Sequence, residues 1–207
     1  MAYLVLVRHG QSEWNAKSLW TGWTDVPLTE KGREEAKNAG NLLKKMRFDL
    51  AYTSALMRAK QTWDEIKHII RQEDVPTTSD KALDERDYGD LTGKNKWEIK
   101  EKFGEEQFQK WRRGWSEILP NGESLKVVYE RVIPYYKKEI LPKLKIGKNI
   151  IIAAHGNSLR ALIKYLDAIP DNEITNLEMA TGGVYVYQID KTGKVTNKEI
   201  LAEGKAP

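Results

Sequence analysis

The chain has 207 residues, of which 40% are hydrophobic and 31% charged, values that are ordinary for one globular domain with a sizeable core. It contains no cysteine, which excludes disulfides, thiolate metal ligands and cysteine nucleophiles and fits a reducing compartment. The formal net charge is only +4, and basic and acidic residues are mixed along the whole chain, which argues against a nucleic-acid-binding stripe.

The first elements along the chain predict a layered fold. Residues 3–7 form a short, continuous apolar run, which is typical of a strand buried on both faces. Residues 29–46 carry a helical apolar stripe behind Thr29, a suitable N-cap. A second strand is expected at 49–53, and helical spacing returns at 56–70.

Polar and aromatic residues dominate the middle of the chain. Residues 97–115 predict two short helices broken at Gly104. Residues 124–144 predict a long helix, which Pro134 and Pro142 would kink or break.

The last third of the chain returns to regular elements. The second fully buried strand is expected at 149–154 and a helix at 157–167. Residues 184–190 and 195–200 then predict a closing hairpin.

Strands that alternate with helices predict an α/β fold of three layers: a mostly parallel sheet with helices on both faces. The stretch at about 84–123 interrupts this alternation and predicts an inserted helical cap. We expect one domain over residues 1–207. Residues 1–7 are too short for a secretory signal, and no run approaches the roughly 18 apolar residues of a membrane span, so a cytoplasmic protein without a membrane partner is expected.

Two of the three histidines occupy matching places. His9 follows the first buried strand by one residue, His155 directly follows the second, and the glycines Gly10 and Gly156 come next. Ligands of open α/β sheets bind outside the carboxyl ends of the strands, so both imidazoles are expected in one site. The glycines would let the backbone approach a ligand closely. His68 lacks such a context and is predicted to lie at the surface or in packing.

Arginines accompany the histidines and indicate phosphate chemistry. Arg8 precedes His9, and Arg58 follows a predicted strand end. Guanidinium groups bind phosphate oxygens bidentately, and helix starts near Ser12 and Asn157 would add N–H donors. A histidine among such donors suits phosphoryl transfer without a metal, and no His or carboxylate group has metal-site spacing.

Longer strings resemble one family. The bare Arg-His-Gly triplet is shared by the whole histidine phosphatase superfamily, but the strings resemble its cofactor-dependent phosphoglycerate mutases far more specifically. They occur in the family's order and span nearly the whole chain: residues 4–15 (LVLVRHGQSEWN), 20–23, 28–32, 52–59, 83–89, 111–114 and 153–160 (AAHGNSLR).

The resemblance implies a role for each matching position. His9 matches the histidine that becomes phosphorylated, and Glu85 the carboxyl proposed as general acid and base. The phosphate pocket is matched by Arg8, Arg58 and His155, with Asn15 and the backbone of Gly156 and Asn157 nearby. Residues that hold the substrate's carboxylate and second phosphate are matched by Tyr88, Lys96, Arg112 and Arg113. Substrate-contacting loop positions are matched by Ser12, Thr21 and Gly22.

The implied activity is the interconversion of 2- and 3-phosphoglycerate, with 2,3-bisphosphoglycerate as the phosphoryl-donating primer. Only residues 115–122 separate two motifs that many relatives space further apart, and only six residues follow Leu201, so a more open rim and a shorter covering tail are expected. Because a more open site would allow more hydrolysis, a second hypothesis stays open: a phosphatase of sugar phosphates or bisphosphates. A third is a non-catalytic binder of phosphorylated ligands or nucleic acid, suggested by the pI near 9.0. Monomer and homodimer both stay open.

Overall fold

A single six-stranded sheet organises residues 1–202, the part of the chain that the computed structural model describes. Its strands are β1 (Ala2–Arg8), β2 (Leu50–Thr53), β3 (Thr77–Ser79), β4 (Ile150–Ala154), β5 (Val184–Ile189) and β6 (Val195–Ala202). The helices are α1 (Glu13–Ala16), α2 (Glu30–Leu43), α3 (Met57–Ile70), α4 (Lys96–Arg113), α5 (Leu125–Tyr135), α6 (Leu141–Lys145) and α7 (Gly156–Leu166). None of the helices within residues 1–202 has the length and apolar content that a bilayer span requires.

The strand order is β3-β2-β4-β1-β5-β6. The pairs β3–β2, β2–β4 and β4–β1 are parallel, whereas β5 runs antiparallel to both β1 and β6. The expectation of a mostly parallel sheet is therefore confirmed, with β5 as the reversed strand. The sequence analysis missed β3, because its three residues are polar and exposed.

Both faces of the sheet are covered, as the sequence predicted. Alternate residues of β1 divide between the two cores: Leu4 and Leu6 pack with α5 and α7, and Val5 and Val7 pack with α2 and α3. Strand side chains alternate between faces, so a strand that is apolar at every position serves both cores.

The long helix predicted for 124–144 is present but changes its winding. Ser124 caps it, accepting a hydrogen bond from Val127 N at 3.2 Å. Between α5 and α6 the backbone takes a π-helical path over Tyr136–Ile140. This path lies between Pro134 and Pro142, whose missing N–H groups interrupt the regular hydrogen-bond ladder.

The predicted cap packs around a small core of its own. Its helix α4 departs from helical geometry at Gly104, where φ is 82° and ψ is 163°, which confirms the predicted break. The residues of this third cluster are distinct from both sheet cores and are Trp20, Leu91, Ile99, Phe108 and Leu119. Within the cap, segment 115–122 packs onto this cluster through Leu119, which is fully buried. The predicted short tail after Ala202 lies outside the described residues.

Candidate active site

Parallel pairing of β1 with β4 brings the two histidines together. Arg8 lies opposite Ala154 in the register, so His9 and His155 follow at the same sheet edge. Their ring centroids are 4.9 Å apart at an interplanar angle of 61°. Both side chains are buried. His68, by contrast, is exposed and contacts Glu73, as expected for a surface residue.

His9 is held as a neutral base. Its Nδ1 lies 2.7 Å from the carbonyl oxygen of Gly10, and since a carbonyl only accepts, Nδ1 must carry the proton. The lone pair is then on Nε2. Burial, with the charges of Arg58 and Arg8 added, lowers the pKa of His9 well below its ordinary 6.5. A neutral imidazole with a free Nε2 is a competent nucleophile.

His155 lies behind His9 and is fixed by Ser54. The Oγ of Ser54 accepts from Leu56 N at 3.2 Å and lies 2.6 Å from His155 Nε2. The Nδ1 of His155 is buried without a hydrogen-bond partner within the described residues. Burial, then Arg58 and His9, lowers the pKa of His155 as well.

Two arginines face the histidines, and each keeps a buried N–H group that has no hydrogen-bond partner in the described structure. Arg8 donates from Nη1 to the carbonyl oxygen of Met179 at 2.6 Å. Arg58 donates to the carbonyl oxygens of Thr24 at 2.9 Å and of Gly22 at 2.8 Å. The Nε of each arginine is buried and lacks a partner in the described structure. Carbonyl anchors orient the guanidinium groups without neutralising them, so their charge is available to an anion.

Glu85 is buried beside this pocket. Its Oε1 accepts from the backbone N–H groups of Arg86 at 2.7 Å and of Asn157 at 3.1 Å. The sequence analysis expected the N–H groups at the start of α7 to face a ligand anion. In this structure the Asn157 N–H instead faces the Glu85 carboxylate.

The start of α1 is also satisfied internally. The Ser12 Oγ accepts from Asn15 N at 3.2 Å, and the Asn15 Oδ1 accepts from Ser12 N at 3.1 Å. The backbone N–H groups at the start of this four-residue helix are therefore bonded within its own cap.

Two adjoining cavities meet along a shared wall of Arg8, Glu85, Tyr88 and Lys96. The inner cavity contains His9 and is also lined by Asn15, Leu19, Thr21 and Arg58. The outer cavity is also lined by Trp20, Arg112, Arg113, Gly156, Asn157, Arg160, Glu178 and Met179. The cap and the sheet edge thus both contribute cations to one continuous space.

The wall between the cavities carries a lysine with a low pKa. Burial, then the charges of Arg8 and Arg112, lowers the pKa of Lys96 to about 8. Opposite it, Asn157 donates from Nδ2 to the hydroxyl of Tyr88 at 2.9 Å.

Most of the residues singled out by sequence line these cavities. Ser12, Gly22 and His155 do not. Ser12 bonds to Asn15, Gly22 supplies a carbonyl to Arg58, and His155 is fully buried beside Ser54. Across residues 1–202, no three or more His, Cys, Asp or Glu side chains are grouped so as to hold a metal ion.

Packing gives Gly10 a role of its own. A Cβ on Gly10 would lie 2.0 Å from the carbonyl oxygen of Gly32, so this glycine is required by backbone packing against α2. A Cβ on Gly156 would lie 3.4 Å from the Cζ of Arg8, an ordinary van der Waals contact, so packing does not require a glycine there.

Several site residues were missed. Arg160 is buried and donates to the Asn157 Oδ1 at 3.0 Å. Arg86 is fully buried, with its guanidinium 4.9 Å from the centre of the Tyr88 ring. Glu178 pairs with Arg113. Arg160 had a usable signal, since it lies one turn after Asn157 on an apolar helix face.

Comparison with known proteins gives the family. The sequence profile of the histidine phosphatase superfamily (branch 1) matches residues 4–199. A 2,3-bisphosphoglycerate-dependent phosphoglycerate mutase of Parvibaculum lavamentivorans is 51% identical over 98% of this chain and 98% of its own. A protein of the same name from Mesorhizobium japonicum is 52% identical, covering 96% of this chain and 97% of its own.

Solved structures agree on the fold. The phosphoglycerate mutase of Bacillus anthracis is 25% identical, with a TM-score of 0.76 over 98% of this chain and 93% of its own. A mycobacterial glucosyl-3-phosphoglycerate phosphatase is 25% identical, with a TM-score of 0.81 over 97% of this chain and 98% of its own. The chain belongs to the histidine phosphatase superfamily and, within it, to the family of the 2,3-bisphosphoglycerate-dependent phosphoglycerate mutases.

Proposed function

We propose that this protein interconverts 2-phosphoglycerate and 3-phosphoglycerate, a step of glycolysis and gluconeogenesis, through a phosphorylated His9. The observation that carries the proposal is the second cationic cavity. Beside the His9 pocket, Lys96, Arg112 and Arg113 line a second cavity, which shares a wall with the first. A hydrolase of a simple phosphate needs one anion site, whereas a mutase must hold a second anionic end while the first reacts.

The inner cavity fits a phosphoryl group. Arg8 and Arg58 line this cavity, and the Nε of each is a buried donor without a partner in the described structure. Buried polar groups are rarely left unpaired, and phosphoryl oxygens would satisfy these donors. 2,3-Bisphosphoglycerate supplies the phosphoryl group that primes His9.

The chain's own groups then divide the work. The neutral His9 Nε2 attacks phosphorus, forming the P–N bond as the P–O bond breaks, while Arg8 and Arg58 stabilise charge on the phosphoryl oxygens. Glu85 gives a proton to the departing oxygen and, in the reverse direction, takes one from the attacking hydroxyl. The Gly10 carbonyl keeps the proton on Nδ1 throughout.

We further propose that one domain carries the whole site, with the cap at about 84–123 as its lid. Arg8 and His9 come from the sheet edge and Arg112 from the cap of the same chain, so no second subunit is needed to build these cavities. We place this activity in the cytoplasm, with free phosphoglycerates as partners and neither nucleic acid nor a membrane.

The second candidate is a phosphatase. The mycobacterial glucosyl-3-phosphoglycerate phosphatase has a similar structure, with a TM-score of 0.81. Water could accept the phosphoryl group from the same histidine.

The test is a coupled assay for 2-phosphoglycerate formed from 3-phosphoglycerate, with and without 2,3-bisphosphoglycerate, while free phosphate is followed. Isomer that depends on the bisphosphate, with little free phosphate, is expected. His9→Ala should abolish it, and His68→Ala, at an exposed histidine, should not. Free phosphate without isomer would mean that the phosphatase hypothesis is right.

A further inference from the structure

Glu178 brings a negative charge to the wall of the outer cavity. Its Oε2 lies 2.6 Å from Nη2 of Arg113, and its Oε1 lies 3.9 Å from Nη2 of Arg112. These are the arginines to which the proposed function gives the anionic end of the substrate. In the structure described here, a carboxylate of the protein itself contacts them.

The backbone on both sides of Glu178 is fixed by the site. The carbonyl oxygen of Leu177 accepts from Arg160 Nε at 3.0 Å, and that of Met179 accepts from Arg8 Nη1 at 2.6 Å. Met179 is buried. The carboxylate is therefore aimed at Arg113 by a segment that Arg160 and Arg8 hold on either side.

The carboxylate is ionised at neutral pH. Burial alone would raise the pKa of Glu178, but Arg113 and Arg112 hold it below its ordinary value. The Glu178 side chain remains 35% exposed, so water can reach the pair and an incoming anion can displace it.

We propose that Glu178 is a specificity-determining residue: it competes with the anionic end of the ligand for Arg113 and Arg112 and so weakens binding in the outer cavity. The ligand class is a phosphorylated three-carbon acid, and the inference rests on the proposed function above. Each ligand must break the Glu178 pair to enter, and the pair re-forms when the ligand leaves.

This competition has a kinetic purpose. Binding substrate and transition state equally tightly does not raise kcat, and in many enzymes product release limits turnover. Without the Glu178 carboxylate, a cavity lined by Lys96, Arg112 and Arg113 would hold a multiply charged bisphosphate for longer. The Glu178 carboxylate shortens that time by replacing the ligand on the arginines.

Glu178→Gln tests the proposal because it removes the charge and keeps an oxygen that can accept from Arg113. We expect the Kd for 3-phosphoglycerate, measured by calorimetry, to fall about two- to fivefold, the range of one partly exposed ion pair. KM should fall with it, and dissociation of 2,3-bisphosphoglycerate should slow. Glu173→Gln makes the same charge change at an exposed position of the same segment and should leave all three values unchanged.

The sign of the effect separates competition from a structural role. If Glu178 only supports Arg113, the Gln variant will bind more weakly or equally, and the proposal is wrong. A melting temperature near that of the wild type shows that the variant is folded. Failure of the proposed function looks different, because the wild type itself would then neither bind 3-phosphoglycerate nor form its isomer.

Discussion

The buried histidine pair makes stability depend on pH. The folded-state pKa values of His9 and His155 lie below 6.5, first because of burial and then because of the arginines. Below pH 6.5 the unfolded chain therefore binds more protons than the folded one, and stability falls as the pH falls.

We expect each histidine to contribute about 1.4 kcal/mol of lost stability per pH unit below 6.5, until its folded pKa is reached. Urea unfolding at pH 7.0, 6.0 and 5.5 measures the slope. His155→Gln should reduce it, and His68→Gln, at the exposed histidine, should not. An unchanged slope in His155→Gln would contradict the neutral, buried state.

Lys96 makes kcat/KM depend on pH. Stability falls as the pH falls, whereas kcat/KM should fall as the pH rises. Its pKa of about 8, lowered first by burial, means that it loses its charge just above neutral pH. Because kcat/KM reports the free enzyme, kcat/KM should fall as the pH rises through about 8. Lys96→Arg keeps the charge and should move this limb to higher pH, whereas Lys96→Met should show a low, flat profile. A wild-type limb that persists in Lys96→Arg would assign it to another group.

Single residues were predictable where the chain itself signalled them. Arg8 and Gly156 lie next to histidines, Arg58 follows a predicted strand end, and the family's strings supplied Glu85. Ser54 and Glu178 gave no such signal, because their partners His155 and Arg113 are distant in sequence and meet them only in the folded chain.

At the scale of elements, the loop after β1 and the start of α2 pack backbone against backbone at two glycines. A Cβ on Gly10 would lie 2.0 Å from the carbonyl oxygen of Gly32, and a Cβ on Gly32 would lie 2.1 Å from that of Gln11. Both neighbours are backbone atoms, which no rotamer change can move away.

Gly10→Ala should therefore destabilise the protein by at least about 3 kcal/mol, because α2 must shift away from the strand end. Gly104→Ala is the matched control: its φ is 82°, but no atom lies within 4 Å of the added Cβ. Only the strain of the left-handed backbone, about 1–2 kcal/mol, applies there. The denaturant midpoints of the two variants compare their losses of stability. Equal losses would mean that α2 can shift away from the strand end without cost.

A clamp on helix α5 holds the loop that carries Glu85. The Arg131 guanidinium donates to the carbonyl oxygens of Ala82, Asp84 and Glu85, each at 2.9 Å. It also bonds both oxygens of the Glu123 carboxylate at 3.0 Å. One side chain thus fixes the backbone around the proposed acid–base group.

Arg131→Met should cost about 3 kcal/mol of stability, because it removes the cation that pairs with the half-buried Glu123 carboxylate and leaves the carbonyl oxygens of Ala82 and Asp84 unpaired. As a positioning residue, Arg131 should affect kcat more than KM, with kcat about tenfold lower or more. Lys126→Met, at an exposed lysine of the same helix, is the control. A folded Arg131→Met enzyme with wild-type kcat would show that Glu85 does not depend on this clamp.

At the scale of the whole molecule, residues 1–202 form three separate apolar clusters, two on the sheet and one in the cap. Phe108, buried in the cap cluster, lies on the same helix as Lys96, Arg112 and Arg113. The cap should therefore be able to loosen while the sheet stays folded.

Phe108→Ala should remove about 3–5 kcal/mol from the stability of the cap. We expect faster hydrogen exchange over Lys96–Arg113, unchanged exchange in β1 and β4, and a higher KM. Phe103→Ala, at a ring 43% exposed on the same helix, should have a small effect. Equal acceleration in the sheet would mean that cap and sheet unfold as one unit.

The α/β architecture could be predicted from the sequence because its central strands are apolar at every position, as in Ile150–Ala154. The peripheral parts gave weaker signals. Strand β3 is short and polar, and its edge position needs one neighbour only. The π-helical turn at Tyr136–Ile140 depends on packing around two prolines, which periodicity does not encode.

The place of β4 between β1 and β2 also sets the order in which the protein forms during synthesis. Arg8 pairs with the strand that ends at Ala154, so the first strand leaves the ribosome long before its central partner. At roughly 5–20 residues per second, the delay is about 7 to 30 s. Throughout that time, the apolar side chains of β1 lack the strand that covers them in the folded sheet. The site therefore forms late, because His155 reaches His9 only when β4 pairs with β1.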